Sequence, residues 1–143
     1  AYMQDSMPPR PWYDERPGRW ISEPAWPSPH KERRAFFLGG DGLAETAAPE
    51  TAHTVCSPQT TGVACGAFCA MWSGPDLPPD QRVDDAGSLV FDSAALPERL
   101  EFFGAPVIEV ELAVDRPQAF LVARLCDVAP GAPRAALPTA FST

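Results

Sequence analysis

The stretch that decides the fold lies near the carboxyl end, where residues 107–128 have the sequence VIEVELAVDRPQAFLVARLCDV. Over residues 107–114, apolar side chains alternate with glutamate and alanine, which is the period of two of a strand with one face in water. Over residues 120–128 both parities are mostly apolar, which predicts a central strand covered on both faces. Because a turn sequence with Pro117 separates the two runs, we predict two separate strands.

Short apolar runs between proline and glycine turns continue this pattern upstream. Residues 35–38 run into Gly39-Gly40-Asp41-Gly42, which predicts a strand that enters a tight turn. Residues 58–85 have no sustained period and predict a long loop. Further candidate strands cover residues 51–57, 88–91 and 100–103. Several short strands between such turns favour an all-β fold, and within that class a β-sandwich.

Length and composition limit the class of protein. Of the 143 residues 45% are hydrophobic and 18 are proline, so the chain can form one core but has too many helix breakers for a helical bundle. The formal net charge of −8 has the wrong sign for a protein held on nucleic-acid phosphates. No apolar run reaches the roughly 18 residues of a membrane span, and the first residues show no apolar signal core. We therefore expect a soluble, cytoplasmic protein.

Residues 1–34 form a proline-rich arm that also contains Trp12, Trp20 and Trp26. Proline removes backbone donors and fixes φ, so the arm predicts neither a central strand nor a long helix. A tryptophan side chain can bury roughly 150–250 Å², so three of them in an irregular segment indicate that another surface covers them. We therefore predict an extended segment that is laid over a second surface.

No motif in the sequence indicates a catalytic nucleophile. The Gly-x-Ser-x-Gly elbow of acyl-transferring enzymes is absent, since Ser73-Gly74 follows Met71-Trp72. The only histidines that a triad could use are His30 in the arm and His53 in a predicted strand. We therefore predict no catalytic residue and no cofactor in this chain.

Two groups of residues have metal-ligand chemistry. One set has the ligand types of a tetrahedral zinc site: His53, Cys56, Cys65 and Cys69. Its spacing fits no standard zinc knuckle, and cysteines that pack as small hydrophobic residues or form a disulfide are open alternatives. The acidic run that ends at Asp85 lacks the residue order of a calcium loop. We interpret this run as a solvated loop in which Arg82 pairs locally, and we predict no metal site.

Several sequence blocks occur in the order of one known family. They are residues 57–62 (SPQTTG), 75–85 (PDLPPDQRVDD), 88–93 (SLVFDS), 100–106 (LEFFGAP) and 125–130 (LCDVAP). Trp20, Glu23, Trp26-Pro27 and Phe37-Leu38 match the way in which the same family begins. Over about residues 20–130, the chain resembles the C-terminal non-catalytic domain of X-Pro dipeptidyl-peptidases and cocaine-esterase-like (CocE/NonD) hydrolases.

The resemblance implies a jelly-roll β-sandwich of the galactose-binding-like type, packed on an α/β-hydrolase domain. In that family the serine, aspartate and histidine of the catalytic triad belong to the hydrolase domain, so no catalytic residue is assigned to this chain. Family members hydrolyse esters or amides, and the jelly roll forms part of the wall at the mouth of the active site. The loop before the Asp-Gln-Arg motif would lie nearest to the substrate, which points to Phe68, Met71 and Trp72.

The resemblance also divides the chain into three parts. Residues 1–34 would be an arm or linker from the hydrolase domain, residues 35–130 the sandwich and residues 131–143 an irregular tail. Because the tail lacks the family's next strand, we expect a truncated domain whose exposed sheet edge allows self-association. Shifted by two bases, possible codons for residues 138–143 spell Tyr-Gly-Val-Leu-Asn, a family-like strand. We therefore hypothesise a frameshift, which resequencing of the gene tests.

A second class of function stays open at this point, a stand-alone β-sandwich module that binds a carbohydrate or a peptide. Aromatic faces are the usual platform for such ligands, and four tryptophans could supply them: Trp12, Trp20, Trp26 and Trp72. Three of the four lie in the proline-rich arm rather than on a strand face. We therefore expect an accessory domain whose partner is a hydrolase catalytic domain, and neither nucleic acid nor a membrane as a partner.

Overall fold

The computed structural model describes residues 1–8, 10, 12–40, 42–65, 80–128 and 134–136. In these residues the regular secondary structure is mostly strand with little helix, so the predicted all-β class is confirmed. The strands are β1 (Tyr2–Gln4), β2 (Gly18–Trp20), β3 (Phe37–Gly39), β4 (Gly42–Ala44), β5 (Cys126–Val128) and β6 (Arg134–Ala136). A 3-10 turn covers Val63–Cys65 and one short helix, α1, covers Arg82–Asp85. The described strands pair as three antiparallel hairpins, and they do not close into a sandwich among themselves.

The first residues of the N-terminal arm pair with residues near its middle and form a hairpin. Strands β1 and β2 pair antiparallel, with Tyr2 opposite Trp20, and the Asp5 amide donates to the Pro17 carbonyl at 2.9 Å beyond the ladder. Pro17 lacks an N–H and therefore serves only as an acceptor just outside the strand. The arm contains neither a central strand nor a long helix, as its prolines predict, but it folds on itself rather than staying extended.

The predicted tight turn after residues 35–38 is confirmed. Strands β3 and β4 pair with Leu38 opposite Leu43, and two residues connect them. Gly42 has a φ of +128°, a conformation that L side chains rarely adopt. A Cβ atom at this position would lie 2.5 Å from the Asp92 carbonyl oxygen, which also accepts a 2.9 Å hydrogen bond from the Leu43 amide. Glycine therefore lets residue 92 approach this hairpin closely.

The C-terminal hairpin corrects two sequence predictions. The expected strand over residues 120–128 is reduced to β5, and Phe120 at its predicted start is fully exposed. The tail beyond residue 128, expected to be irregular, supplies the partner strand β6, with Asp127 opposite Ala135. A strand forms where a neighbouring backbone can pair with it, and the sequence pattern of the tail did not reveal that its backbone pairs with β5.

Four other predicted strands are absent from the described residues. They are residues 51–57, 88–91, 100–103 and 107–114. The alternating pattern of residues 107–114 gives a strand its two faces, but a strand also needs a neighbouring backbone to pair with. Val107 and Leu112 are 83% and 63% exposed, so this segment has no covering layer in the described chain. The strand predicted from this alternation is therefore wrong for the described chain, because the alternation does not supply a backbone partner.

Burial in the described residues is polar rather than hydrophobic. No hydrophobic side chain there is buried, whereas Ser28, Gln81 and Asp84 are. Many large apolar side chains of the described residues are exposed instead, among them Phe120, Val107 and Val122. In the part of the chain that the structure describes, no helix has both the length and the apolar run that crossing a bilayer requires.

Ion pairs attach the N-terminal hairpin to the second half of the chain. Arg19 donates two hydrogen bonds to the carboxylate of Glu101, at 2.7 and 2.6 Å. Arg99 lies 2.6 Å from Asp5 and 3.2 Å from Glu101, and Ser6 donates to the Asp127 carboxylate. The hydrogen bond from Arg19, and to a smaller extent the charges of Arg19 and Arg99, hold the pKa of Glu101 below its ordinary value of 4.5.

The substitution Gly42→Ala is expected to destabilise the chain by about 1–3 kcal/mol, because alanine resists positive φ and its Cβ would meet the Asp92 carbonyl. Gly40→Ala is the matched control, since its Cβ would have only the Thr51 hydroxyl at 3.9 Å. Urea unfolding followed by circular dichroism measures both. Equal midpoints for the two variants would contradict the close approach at Gly42.

The Arg19–Glu101 pair is expected to weaken in acid. Because the folded pKa of Glu101 is lowered, its stabilising contribution is fully present above the ordinary value of 4.5 and is lost as the pH falls through the folded pKa. The urea midpoint of the unsubstituted chain should therefore exceed that of Glu101→Gln at neutral pH and converge with it in acid. The same comparison with Glu98→Gln serves as the control and should show no pH-dependent difference.

Candidate functional site

A cluster of hydrogen-bonded polar side chains surrounds helix α1, and we call this cluster the α1 clamp. Its members are Gln81, Asp84, Asp85, Ser88 and Arg124. Two of them, Gln81 and Asp84, are 2% and 3% exposed. Buried polar groups require hydrogen-bond partners, and the geometry of the cluster follows from that requirement.

Asp84 joins the two ends of a long chain segment. Its Oδ1 atom accepts a 2.8 Å hydrogen bond from the Gly62 amide, 22 residues earlier. Its carbonyl accepts a 2.8 Å hydrogen bond from the Ser88 hydroxyl and a 3.1 Å hydrogen bond from the Gly87 amide, which end the helix. Gly87 also lies close to the returning segment, since a Cβ there would be 2.7 Å from the Thr61 hydroxyl. The segment from residue 62 to residue 84 is therefore closed at its base.

Arg124 connects the same cluster to the approach of strand β5. Its Nη1 donates to Gln81 Oε1 at 2.6 Å and its Nη2 to Asp85 Oδ1 at 2.9 Å. The Arg124 and Asp85 side chains are 25% and 14% exposed, so this ion pair is more shielded from water than the pairs of the N-terminal hairpin. The sequence interpretation missed it. The available signal was a single charged residue within the apolar residues 120–126, which predicts a buried acidic partner.

Arg82 pairs with Asp80, as predicted. Its Nε lies 2.9 Å from Asp80 Oδ2, and its amide donates to Asp80 Oδ1 at 3.0 Å. The side-chain hydrogen bond from Arg82, followed by the one from its backbone amide, holds the pKa of Asp80 below its ordinary value. The expectation of a solvated loop is wrong, because these residues form α1 and Asp84 is buried against Gly62.

The predicted substrate-proximal residues Phe68, Met71 and Trp72 lie outside the described residues. What the structure describes is the base of the segment that carries them. The 3-10 turn at Val63–Cys65 and helix α1 contact each other, and the α1 clamp closes the base from the other side. This arrangement holds a loop at its ends by hydrogen bonds.

Ser28, Glu23 and His30 form a second polar cluster, in the arm. The Ser28 hydroxyl donates to Glu23 Oε2 at 2.6 Å and accepts from the His30 amide at 3.1 Å, while His30 Nδ1 lies 2.9 Å from the same Glu23 oxygen. The hydrogen bond from Ser28, ahead of that from His30, lowers the pKa of Glu23. A triad requires the serine hydroxyl to bond the imidazole, and here it bonds the carboxylate instead. The cluster therefore braces a turn, at which Trp26 contacts Phe103 edge-on at 5.2 Å.

The four zinc candidates are only partly described. His53 is exposed and its ring packs edge-on against Phe91 at 5.3 Å, and Cys56 is an exposed free thiol. Cys65 ends the 3-10 turn, and Cys69 lies outside the described residues. Among the residues that the structure describes, no group of three or more histidine, cysteine or acidic side chains is arranged to bind a metal ion.

The tryptophans proposed for a binding module are exposed where they are described. Trp12, Trp20 and Trp26 are 62%, 80% and 64% exposed. Trp20 packs against Tyr2, and Lys31 Nζ lies 4.8 Å above the ring of Trp26. Trp72 lies outside the described residues. These rings thus lie at separate places in the arm, and the described residues do not bring them together into one aromatic surface for a ligand.

The strand content of the described residues agrees with a comparison to protein families. The family model described as "X-Pro dipeptidyl-peptidase C-terminal non-catalytic domain" matches residues 3–140. The chain therefore belongs to this family of non-catalytic domains. The comparisons found no curated protein and no solved structure that matches the chain.

The matched range is wider than the sequence blocks that indicated the family. It includes most of the proline-rich arm and extends through strand β6 to residue 140, beyond the last block at residue 130. The residues that form the α1 clamp all lie inside it. Membership of a non-catalytic family also fits the absence of a nucleophile elbow from the sequence.

Replacing Arg124 by methionine is expected to destabilise the chain by about 2 kcal/mol, because the substitution leaves the largely buried Gln81 and Asp85 without their guanidinium partner. Arg116→Met is the control, since Arg116 is 79% exposed and 3.8 Å from Asp115, and it should cost less than about 0.5 kcal/mol. Thermal and urea unfolding measure the difference. A fully stable Arg124→Met chain would show that the clamp contributes no stability.

Proposed function

We propose that this domain packs on an α/β-hydrolase catalytic domain of the CocE/NonD type and shapes the mouth of its active site. The hydrolase is a serine enzyme that cleaves esters or X-Pro amides, and this chain contributes no catalytic residue. The observation that carries the proposal is the family match to a domain defined by its place beside a catalytic domain. In this proposal the arm of residues 1–34 leads from the catalytic domain into a jelly-roll sandwich.

The exposed apolar side chains between residues 102 and 122 support a docking role. The most exposed members of this set are Val107, Leu112, Val114, Phe120 and Val122. Their exposure ranges from 60% to 100%, and apolar side chains in such numbers are a characteristic of interaction surfaces. At about 25 cal/mol per Å², covering several of them provides a strong driving force for association. We assign the catalytic domain as the cover, and self-association is the competing outcome when that domain is absent.

The α1 clamp supports the contribution to the active-site mouth. It closes the segment from Gly62 to Asp84 at its base through a backbone-to-carboxylate hydrogen bond of 2.8 Å. A segment anchored at both ends can present its middle to a partner at a low entropic cost. The middle of this segment contains Phe68, Met71 and Trp72, which we propose as apolar contacts near the substrate.

The test is reconstitution with a CocE-type catalytic domain that lacks its own C-terminal domain. The chain should form a one-to-one complex in sedimentation velocity and should change kcat/KM for Ala-Pro-nitroanilide or p-nitrophenyl butyrate. Phe120→Asp should weaken the complex about tenfold or more, as polar replacement of a central aromatic contact does. Leu96→Asp is the control, because Leu96 is 50% exposed and belongs neither to residues 102–122 nor to the α1 clamp. No complex, or equal losses in both variants, would contradict the proposal.

A further inference from the structure

A short exposed segment joins the N-terminal arm to strand β3. Residues 31–36 have no regular secondary structure, and residues 31–35 are all exposed. Within the part of the chain that the structure describes, residues 31–36 make no backbone hydrogen bond. A protease binds its substrate as an extended strand, so it gains access most easily where the backbone is exposed and unpaired. This segment can enter such a cleft without breaking a backbone hydrogen bond of the fold.

The same segment carries two accessible arginines, Arg33 and Arg34. Arg33 is exposed. Arg34 has a side chain that is 46% exposed, and its Nη1 lies 3.8 Å from Glu45 Oε1, beyond the length of a hydrogen bond. The third basic residue, Lys31, is held with its Nζ 4.8 Å above the Trp26 ring. Both arginines can therefore enter a specificity pocket that pairs a carboxylate with a guanidinium, as the pocket of trypsin does.

Proline protects some of the other basic positions from such a protease. Proline has no amide N–H, and its ring crowds the peptide bond on its amino side, so a bond that leads into proline is a poor substrate. Three arginines directly precede a proline in the sequence: Arg10, Arg16 and Arg116.

Folded structure protects the remaining basic positions. Three arginines lie within regular secondary structure, in β2, α1 and β6: Arg19, Arg82 and Arg134. Two more are held by acidic partners, Arg99 by Asp5 at 2.6 Å and Arg124 by Asp85 at 2.9 Å. A protease must first open these elements or contacts locally, and cleavage is slowed by the free energy of that opening.

We propose that residues 31–36 are a proteolytic processing site for an endopeptidase that cuts after arginine. Hydrolysis breaks the bond between the carbonyl carbon of Arg33 or Arg34 and the nitrogen that follows it. Water supplies the hydroxyl group of the new carboxyl end and a hydrogen of the new amino end. The site lies in this chain alone, so the inference does not depend on the proposed docking on a catalytic domain.

Contacts that span the cut keep the arm attached after cleavage. Arg19 donates two hydrogen bonds to Glu101, at 2.7 and 2.6 Å, and Trp26 packs edge-on against Phe103 at 5.2 Å. In each pair, one residue precedes the cut and the other follows it. A chain cut at this segment therefore remains one particle until a denaturant separates its two fragments.

The test is brief digestion of the folded 143-residue chain with a small amount of trypsin, followed by intact-mass spectrometry. The first fragments should end at Arg33 or Arg34 and should form at least about tenfold faster than fragments from the basic positions within strands, α1 or ion pairs. This preference should disappear at a urea concentration that unfolds the chain but leaves trypsin active. A first cut at Arg82, Arg99 or Arg124 in the folded chain would overturn the proposal.

A pair of double variants tests the assignment to the two arginines. Arg33→Gln combined with Arg34→Gln should remove the early fragments and slow the first cut by about tenfold, since the remaining bonds are protected. Arg10→Gln combined with Arg116→Gln is the charge-matched control at proline-protected positions, and it should digest like the unsubstituted chain. Equal digestion rates in the two double variants would overturn the assignment. If a variant fails to fold, the order of fragments from the unsubstituted chain decides the case.

Size-exclusion chromatography of the cut, unsubstituted chain tests the attachment of the arm. Both fragments should elute together in native buffer and separate in urea. Separate elution of the arm fragment in native buffer would show that the contacts across the cut do not hold the arm.

Discussion

The ion pair between Arg124 and helix α1 is the contact on which the order of the described chain depends most. It joins residues about 40 positions apart in sequence, 39 from Asp85 and 43 from Gln81, and it does so where the side chains are largely shielded from water. Through Asp84 the same helix reaches back to Gly62. One guanidinium therefore ties together the approach of β5, the helix and the loop that precedes it.

This dependence on polar contacts follows from the lack of a covered apolar layer. No hydrophobic side chain is buried in the described residues, so hydrogen bonds, ion pairs and a few exposed ring contacts such as Trp26–Phe103 hold distant segments together there. Hydrogen bonds contribute about 0.5–1.5 kcal/mol each, which is too little to fix a domain without hydrophobic burial. The family is described as the C-terminal non-catalytic domain of X-Pro dipeptidyl-peptidases, and in our proposal the catalytic domain covers the exposed apolar side chains near residues 107–122. In that proposal, the contact that covers these apolar side chains both stabilises the domain and gives it its function.

The family, the all-β class and the β3–β4 turn could all be predicted from the sequence. Each rests on local information, namely motif order, strand-length apolar runs and the glycines that the turn requires. The pairing of β5 could not be predicted, because the residues of β6, an arginine and two alanines, have no strand pattern. The α1 clamp was missed for a related reason. Asp84 and Asp85 look like a solvated acidic run until Arg124 is brought next to them by tertiary structure.

The attachment of the N-terminal hairpin has a consequence for how the arm behaves in different solutions. Arg19, Arg99 and their carboxylate partners are between 37% and 62% exposed, so dissolved ions reach them. Screening acts over about 8 Å at physiological ionic strength and over shorter distances in concentrated salt. Concentrated salt therefore weakens these ion pairs, while the Ser6–Asp127 hydrogen bond and the Trp26–Phe103 ring contact, which are not pairs of opposite charges, keep the arm attached to the second half of the chain.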